Sequence, residues 1–318
     1  MSLTNRAPKA SASLKYDRGL QKQPSQWQAF LHLELALSKR GVILKRCEHQ
    51  GPLYVQKPFY PEGKDLAHLY ILHPPGGLVS GDQLTLKCEL QKNAPTLLTT
   101  PGAGRVYKAR EDKALQGQKN HFIVKEGASL EWLPQETILY PNASTQLRTL
   151  IELDHLSSYI GWEISCFGLP TSGQPFNQGD VKQTLEIRQF GQIKLRDQIL
   201  INEKTREQLH QVAGFNQLNI NGLMVAGPFN QASKAVMDLA LEELIEALQQ
   251  LCEQINPLNQ TDLCSQSLAS VSLTGEFLLI RYLGSSSEQA KHLYIACWQK
   301  IRPLLLNRCA SIPRIWAT

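Results

Sequence analysis

The sequence contains no run of about 18 apolar residues, so nothing in it predicts a membrane-spanning segment. Its seven cysteines are odd in number, widely spaced and without a CxxC pair, which is untypical of a disulfide framework. The first residues lack the apolar stretch of a secretory signal. We therefore expect a cytoplasmic protein, because free thiols persist in reducing compartments.

Strong charge of one sign is also missing. The chain has 33 basic and 28 acidic residues, a net charge of +5, and the excess forms no stripe interleaved with aromatic side chains. Proteins that bind nucleic acid usually show such a stripe. We expect no nucleic-acid partner, and a mildly basic surface suits an acidic protein equally well.

The composition predicts one folded unit behind a short tail. Residues 1–24 are polar, rich in Ser, Lys and Ala, and without periodicity, which is typical of a disordered segment. In the whole chain 42% of residues are apolar, enough for a sizeable core. We expect residues 25–318 to form a single β-rich domain.

The region from Phe30 to about Leu200 shows short apolar or alternating runs separated by Gly, Pro or Asn, the pattern of β-strands. Because no helical pattern interrupts them, they favour stacked or coiled sheets, rich in antiparallel pairs, over a doubly wound α/β fold. The predicted strands are Leu31–Leu37, Val42–Leu44, Leu69–Leu72, Leu84–Cys88, Leu97–Thr99, His121–Val124, Gln146–Leu153 and Leu185–Arg188.

Two helices are predicted in the C-terminal half. Apolar residues recur at spacings of three and four over Ser233–Ile255. A strand follows at Val271–Tyr282. A second helix opens at Ser285, three residues before Glu288, which is the spacing of a capping box, and ends before Pro303.

The stretch His73–Asp82 (HPPGGLVSGD) combines prolines that fix φ, glycines that permit positive φ and a terminal carboxylate. Such a concentration predicts a loop of defined geometry. Taken alone, the loop is most simply a tight turn between two strands, with the aspartate accepting turn N–H groups. Its special residues are Pro75, Gly76, Gly77, Gly81 and Asp82.

None of the common catalytic patterns is complete in this loop. Gly76 and Gly81 have the spacing of a phosphate-binding P-loop, but Asp82-Gln83 stands where Lys and Ser/Thr are needed. Ser80 is one position too late for a G-x-S-x-G nucleophile elbow. No H-E-x-x-H motif occurs elsewhere. The sequence therefore predicts no enzyme, although a β-fold enzyme that uses the Asp82 loop stays as an alternative.

Three further segments follow the loop: Thr99–Lys108 (TTPGAGRVYK), Leu130–Ile138 (LEWLPQETI) and Trp162–Gly168 (WEISCFG). In this order and spacing the four segments resemble the UreD family of urease accessory proteins, called UreH in some systems. Trp132 beside a rigid proline has two interpretations, core packing or an interface anchor. The motif or interface candidates in these segments are Thr100, Tyr107, Trp132, Pro134, Gln135 and Glu136.

The resemblance, which extends from about Leu31 to about Pro303, implies a β-helix-like fold with two helices and a non-enzymatic scaffold for urease maturation. A scaffold of this family is expected to bind apo-urease and UreF, which recruits the GTPase UreG, and to help assemble the dinickel centre. A homodimer within that complex is a further expectation. A general polyanion-binding protein stays as the other alternative.

The chain departs from the family pattern at three positions. Ser80 replaces a glycine of the loop, and Leu169 and Gln174 replace an arginine and a glutamate. If the arginine and the glutamate form an ion pair in the family, replacing both of them changes stability little. If the glutamate serves metal passage, this protein must achieve it differently.

Metal handling without tight ligation is a further hypothesis, because nickel accepts imidazole and carboxylate ligands. No tightly bound cofactor is expected, and nickel would bind only in transit at several weak points. Each candidate also has a structural interpretation, such as Asp82 capping its own turn or Glu136 bonding nearby backbone. The transit candidates are His73, Asp82, Glu131, Glu136 and Glu163.

Overall fold

A computed structural model describes residues 27–229, 234–256 and 267–317. The chain builds a sheet of seven strands, a sheet of eleven and two long helices, one before and one after the last two strands. The first sheet contains, in spatial order, β15 (Gln192–Ile201), β14 (Asp180–Gln189), β11 (Ser144–Leu153), β8 (Gln116–Val124), β5 (Gln83–Leu90), β1 (Gln28–Ser38) and β2 (Gly41–Gln50). The expected tail, residues 1–24, lies outside the described residues.

The second sheet carries most of the motif segments, and three of its short strands lie off the main path. The main path is β17 (Leu268–Thr274), β18 (Phe277–Gly284), β16 (Ile220–Gly227), β12 (Ser158–Leu169), β9 (Ser129–Leu133), β6 (Thr96–Thr99), β4 (Ala67–Leu72) and β3 (Tyr54–Val55). The short strands are β7 (Gly104–Val106), β10 (Thr137–Leu139) and β13 (Gln174–Pro175).

From β4 to β14 the chain coils between the two sheets. Strands β4, β6, β9 and β12 belong to the second sheet, and β5, β8, β11 and β14, which follow them in turn, belong to the first. This confirms the predicted mainly β, β-helix-like architecture. The expectation of mostly antiparallel pairs is wrong for this central part, where neighbours are parallel. Each strand returns to its own sheet only after crossing the other, and so runs in the same direction as its predecessor.

Apolar side chains fill two layers. One core lies between the sheets and includes Leu31, Leu33 and Phe122. The other lies between the second sheet and the helices α1 (Lys234–Ile255) and α2 (Ser287–Leu306). Neither helix is long and apolar enough to cross a membrane, in the part of the chain that the structure describes.

The two helices confirm the predicted element types, but three details differ. The strand predicted over Val271–Tyr282 is the hairpin of β17 and β18, which turns at Gly275 with φ of 59°. The N-cap of α2 is Ser286, whose Oγ accepts from the Gln289 N–H at 3.1 Å, not Ser285. Helix α2 continues through the exposed Pro303, because the three leucines that follow still pack on the core.

Candidate functional site

The four motif segments lie side by side in the structure. The glycine loop pairs with the second segment, since Leu78 N donates to Arg105 O at 2.8 Å and Tyr107 N donates to Leu78 O at 3.0 Å. Strand β7 of the second segment pairs with β10 of the third, which in turn pairs with β12 of the fourth. Successive turns of the coil therefore bring segments that are distant in sequence to one place.

Asp82 holds the glycine loop in shape. Its Oδ2 accepts from the Val79 N–H at 3.0 Å, and its Oδ1 accepts from the Trp27 N–H at 3.1 Å. The side chain is buried, and both oxygens are engaged with backbone. This matches the turn-capping interpretation and weighs against the alternative of a catalytic carboxylate in this loop.

The glycines of the loop meet two different demands. Gly76 and Gly81 have φ of 72° and 92°, a region that other residues rarely adopt. Gly77 is instead limited by space, because an added Cβ would come 2.5 Å from the Tyr107 ring. The Ser80 hydroxyl accepts from the Arg110 N–H at 2.7 Å. The loop is thus fixed by its neighbours as well as by its own turn.

We expect Asp82→Ala to release the loop and lower the free energy of unfolding, since losing such caps costs roughly 0.5–2 kcal/mol. Asp82→Asn keeps one acceptor oxygen but turns an amide donor toward the other backbone N–H, so it should recover only part of that loss. Denaturant unfolding of both variants measures the difference, and an Asp82→Ala variant as stable as the native chain would contradict this role of Asp82.

A cavity of about 260 Å³ lies between the two sheets beside these segments. The glycine loop and the Thr100–Gly104 turn contribute to its wall, as do inward-facing residues of β8, β11, β12 and β14. The residues singled out from the sequence that line it are His73, Gly76, Thr100, Trp132, Pro134, Gln135 and Glu163.

A chain of polar side chains crosses the cavity at Glu163. The Glu163 carboxylate, on β12, accepts from Thr149 Oγ1 at 2.5 Å and from Gln183 Nε2 at 2.8 Å, so it joins the two sheets. Asn120 Nδ2 in turn donates to Thr149 Oγ1 at 3.2 Å, and Ser165 Oγ donates to Gln183 Oε1 at 2.7 Å. Inward positions of packed sheets are normally apolar, so this polar band is a specialised part of the interior.

Burial perturbs the pKa values of two of the three ionisable residues that line the cavity, His73 and Glu163; the third is Arg148. It raises the pKa of the Glu163 carboxyl, and the hydrogen bonds from Thr149 and Gln183 offset this effect only in part. It lowers the pKa of His73, against the opposing attraction of the Asp82 carboxylate. The cavity therefore favours an uncharged imidazole and resists a bare carboxylate.

Trp132 borders the cavity, is only 3% exposed and packs against Phe122, which supports the core-packing interpretation over the interface anchor. Glu136 lies outside the cavity. Its backbone carbonyl accepts from the Gly104 N–H at 2.9 Å. The predicted hydrogen bond from its side chain to nearby backbone is not found among the described residues. The others that do not line the cavity are Pro75, Gly77, Gly81, Asp82, Tyr107 and Glu131.

Glu131 belongs to a buried ion network that sequence patterns missed. Its carboxylate accepts from Arg302 Nε at 2.9 Å and Nη2 at 3.0 Å, and from Trp298 Nε1 at 2.6 Å. Arg302 also binds Glu62, at 2.6 and 2.9 Å, and Glu62 contacts His68 Nε2 at 2.8 Å. Because Arg302 and Glu131 are both 0% exposed, the network ties α2 to the second sheet and is structural in character.

Leu169 and Gln174 are directly opposite each other in the antiparallel pair of β12 and β13. Side chains at opposed positions are within reach of one another. An arginine and a glutamate at these two positions, as the resemblance implies, would therefore be neighbours. Neither Leu169 nor Gln174 lines the cavity.

No three His, Cys, Asp or Glu side chains lie close enough together to hold a metal ion, in residues 27–229, 234–256 and 267–317. The cavity instead offers one carboxylate, one imidazole and several amide and hydroxyl oxygens, and Arg148 also lines it. Of these groups the sequence indicated Glu163 and His73. It missed Gln118, Asn120, Thr149 and Gln183, whose only signal is a polar residue at the inward position of an alternating strand.

Comparison with known proteins gives one consistent family. A family model described as UreD urease accessory protein matches residues 28–317. A protein of Marinomonas sp. named Urease accessory protein UreD is 51% identical over 294 residues, which cover 92% of this chain and 91% of the relative. Proteins of the same name from Psychromonas ingrahamii and Methylobacillus flagellatus are 37% and 36% identical, over 93% and 92% of this chain and 96% and 95% of their own lengths.

Proposed function

Because this chain belongs to the UreD family of urease accessory proteins, we propose that it serves urease maturation as a scaffold through which nickel reaches the apo-enzyme. The observation that carries the nickel step is the polar band around Glu163 between the two sheets. The family match carries the connection to urease.

The donor set of the cavity suits an ion in transit. Imidazole and carboxylate bind borderline divalent metals, and the neutral amide and hydroxyl oxygens bind them weakly. A cavity of about 260 Å³ has room for several water molecules, so a partly hydrated cation fits. Weak binding at several points lets an ion leave as readily as it enters.

Burial of Glu163 also bears on how an ion would be held. Burial raises the pKa of this carboxyl, so a divalent cation beside it would offset the cost that burial places on its ionised form.

The proposed partners are apo-urease and UreF, with UreG recruited through UreF, and GTP hydrolysis is assigned to UreG. No residue of this chain forms a phosphate-binding lysine site in the glycine loop. The proposed compartment is the cytoplasm, because the six cysteines within the described residues are all free thiols.

The test is reconstitution of urease from its subunits and accessory proteins with and without this chain. With the chain present, we expect active urease with a full nickel content by metal analysis. Without it, urease should assemble as nickel-poor apo-protein. Equal nickel content in both preparations would contradict the proposed function, while nickel loading by a chain that co-purifies with neither urease nor UreF would contradict the scaffold.

A further inference from the structure

The outer face of the first sheet, which points away from the second sheet, carries its charges unevenly. On β1, β2 and β5 each cation has a carboxylate of its own: Lys45 with Glu34 at 2.8 Å, Arg46 with Glu48 at 3.3 Å and Lys87 with Glu89 at 2.6 Å. On β11, β14 and β15 three arginines instead share the single carboxylate of Glu186. One half of this face is therefore balanced, and the other half has a surplus of positive charge.

Glu186 gathers the three arginines without using up their donors. Its carboxylate accepts from Arg188 Nε at 2.6 Å, whereas Arg148 Nη2 and Arg196 Nε lie 3.8 Å from it, too far for a hydrogen bond. Arg148 alternates with inward residues of β11 that line the cavity, so its side chain points to the outer face. Among the described residues Glu186 is the only ion-pair partner of Arg148 and of Arg196. Because a guanidinium has five N–H donors, both side chains can bind another anion.

These arginines form the centre of a patch that covers four strands. Arg148 on β11 and Arg196 on β15 are 43% and 52% exposed, and they stand about 10 Å apart because β14 lies between them. The exposed Lys119 on β8 and Lys182 on β14 extend the patch, since Lys119 is directly beside Arg148. Five cations of the outer face thus meet three carboxylates, those of Asp180, Glu152 and Glu186.

The chain itself has no carboxylate-rich stretch outside the described residues that would neutralise this patch. Residues 1–26 are themselves basic, with Asp17 as their one carboxylate against Arg6, Lys9, Lys15, Arg18 and Lys22. Residues 230–233 and 257–266 add only Asp262. The surplus of positive charge is therefore available to another molecule.

From this geometry we propose that the outer face of β11, β14 and β15 binds an acidic segment of a partner protein, whose carboxylates bond to Arg148 and Arg196. Guanidinium groups bind carboxylates through two parallel N–H···O bonds, and arginine is enriched in protein interfaces. Aliphatic side chains on the same face favour a protein: Ile193, opposite Arg188, is 51% exposed, and Leu200 is 38% exposed. The outward positions of these three strands hold no aromatic side chain on which nucleic-acid bases could stack. This contact is independent of the proposed nickel route, because the face points away from the space between the sheets.

Fluorescence anisotropy on the full-length chain tests this binding, with a fluorescein-labelled peptide of glutamate and leucine residues as the probe. The native chain should bind the peptide, more weakly as salt is raised, and should not bind the same peptide with glutamine in place of glutamate. Changing both Arg148→Gln and Arg196→Gln should weaken binding at least about tenfold, since each removes hydrogen bonds between charged groups. Both side chains are exposed and Arg188 still pairs with Glu186, so the variant should fold. The single variant Arg196→Gln, with a smaller loss, replaces the double variant if that one does not fold.

The matched control removes the same charge from the balanced half of the face. Changing both Arg46→Gln and Lys87→Gln should leave peptide binding within about twofold of the native chain, because these cations already have partners. An equal loss in this control would show that net charge, not the patch, attracts the peptide, and would overturn the proposal. So would a native chain that binds neither peptide or both equally. Duplex DNA that binds more tightly than the acidic peptide, and through Arg148 and Arg196, would replace the protein partner with a nucleic acid.

Discussion

Replacing Arg302 with methionine should destabilise the fold by about 3–5 kcal/mol, the usual cost of breaking a buried ion pair by removing one partner. Arg302 is 0% exposed and is the cation between Glu62 and Glu131. Without it, two carboxylates remain in the interior with no opposite charge between them. Since whole domains are stable by about 5–15 kcal/mol, denaturant unfolding should show a large loss.

The matched control is Glu131→Gln, which keeps a hydrogen-bonding side chain of the same shape and leaves Arg302 paired with Glu62. We expect this variant to lose much less stability than Arg302→Met, because it leaves no unpaired buried charge. If Glu131→Gln destabilised the protein as much as Arg302→Met, geometry would matter here more than charge balance. If neither variant changed stability, the network would contribute nothing.

The same network makes stability depend on acid. Burial disfavours ionised Glu62, but the hydrogen bonds from His68 and Arg302 prevail and lower the pKa of its carboxyl. The contribution of ionised Glu62 to folding stability is therefore complete above the ordinary glutamate pKa. It is lost as the pH falls through the lowered pKa. The Arg302→Met variant should lose less stability over that acidic window than the native chain, because one of the groups that lower this pKa is gone.

Glu163→Gln should reduce nickel loading of urease on the order of tenfold, the scale of effect seen when groups that tune a metal site are removed. The amide fits the same space and still bonds to Thr149 or Gln183, but it supplies no anionic ligand. Stability should stay unchanged or rise, because burial raises the pKa of this carboxyl and its ionised form is costly. Nickel content of urease and unfolding of the isolated variant, measured together, check both parts.

Glu186→Gln provides the control for losing a buried carboxylate elsewhere. Glu186 is also buried, but it bonds to Arg188 Nε at 2.6 Å and does not line the cavity. Its loss should lower stability and leave nickel loading intact, the reverse of Glu163→Gln. If both variants loaded nickel normally, Glu163 would be a structural bridge between the sheets and the ion would take another route.

The sequence determined the local elements, because their signals are local. Alternation over Leu31–Leu37 and the three-four spacing over Ser233–Ile255 identify a strand and a helix without reference to the rest of the chain. The motif segments likewise identified the family that the comparisons show. Turn chemistry was also readable, since Asp82 bonds within the loop that contains it.

Tertiary structure decided everything that depends on which strands become neighbours. Whether a sheet is parallel follows from the path between strands, and no strand sequence records that path. Nothing in the sequence distinguishes Glu131 from other polar residues, because its partner Arg302 lies 171 positions later in the chain. Glu163 becomes a cavity carboxylate only because the coil sets β12 opposite β11 and β14, where Thr149 and Gln183 bond to it. Contacts at long sequence separation arise from packing, and packing is a property of the whole chain.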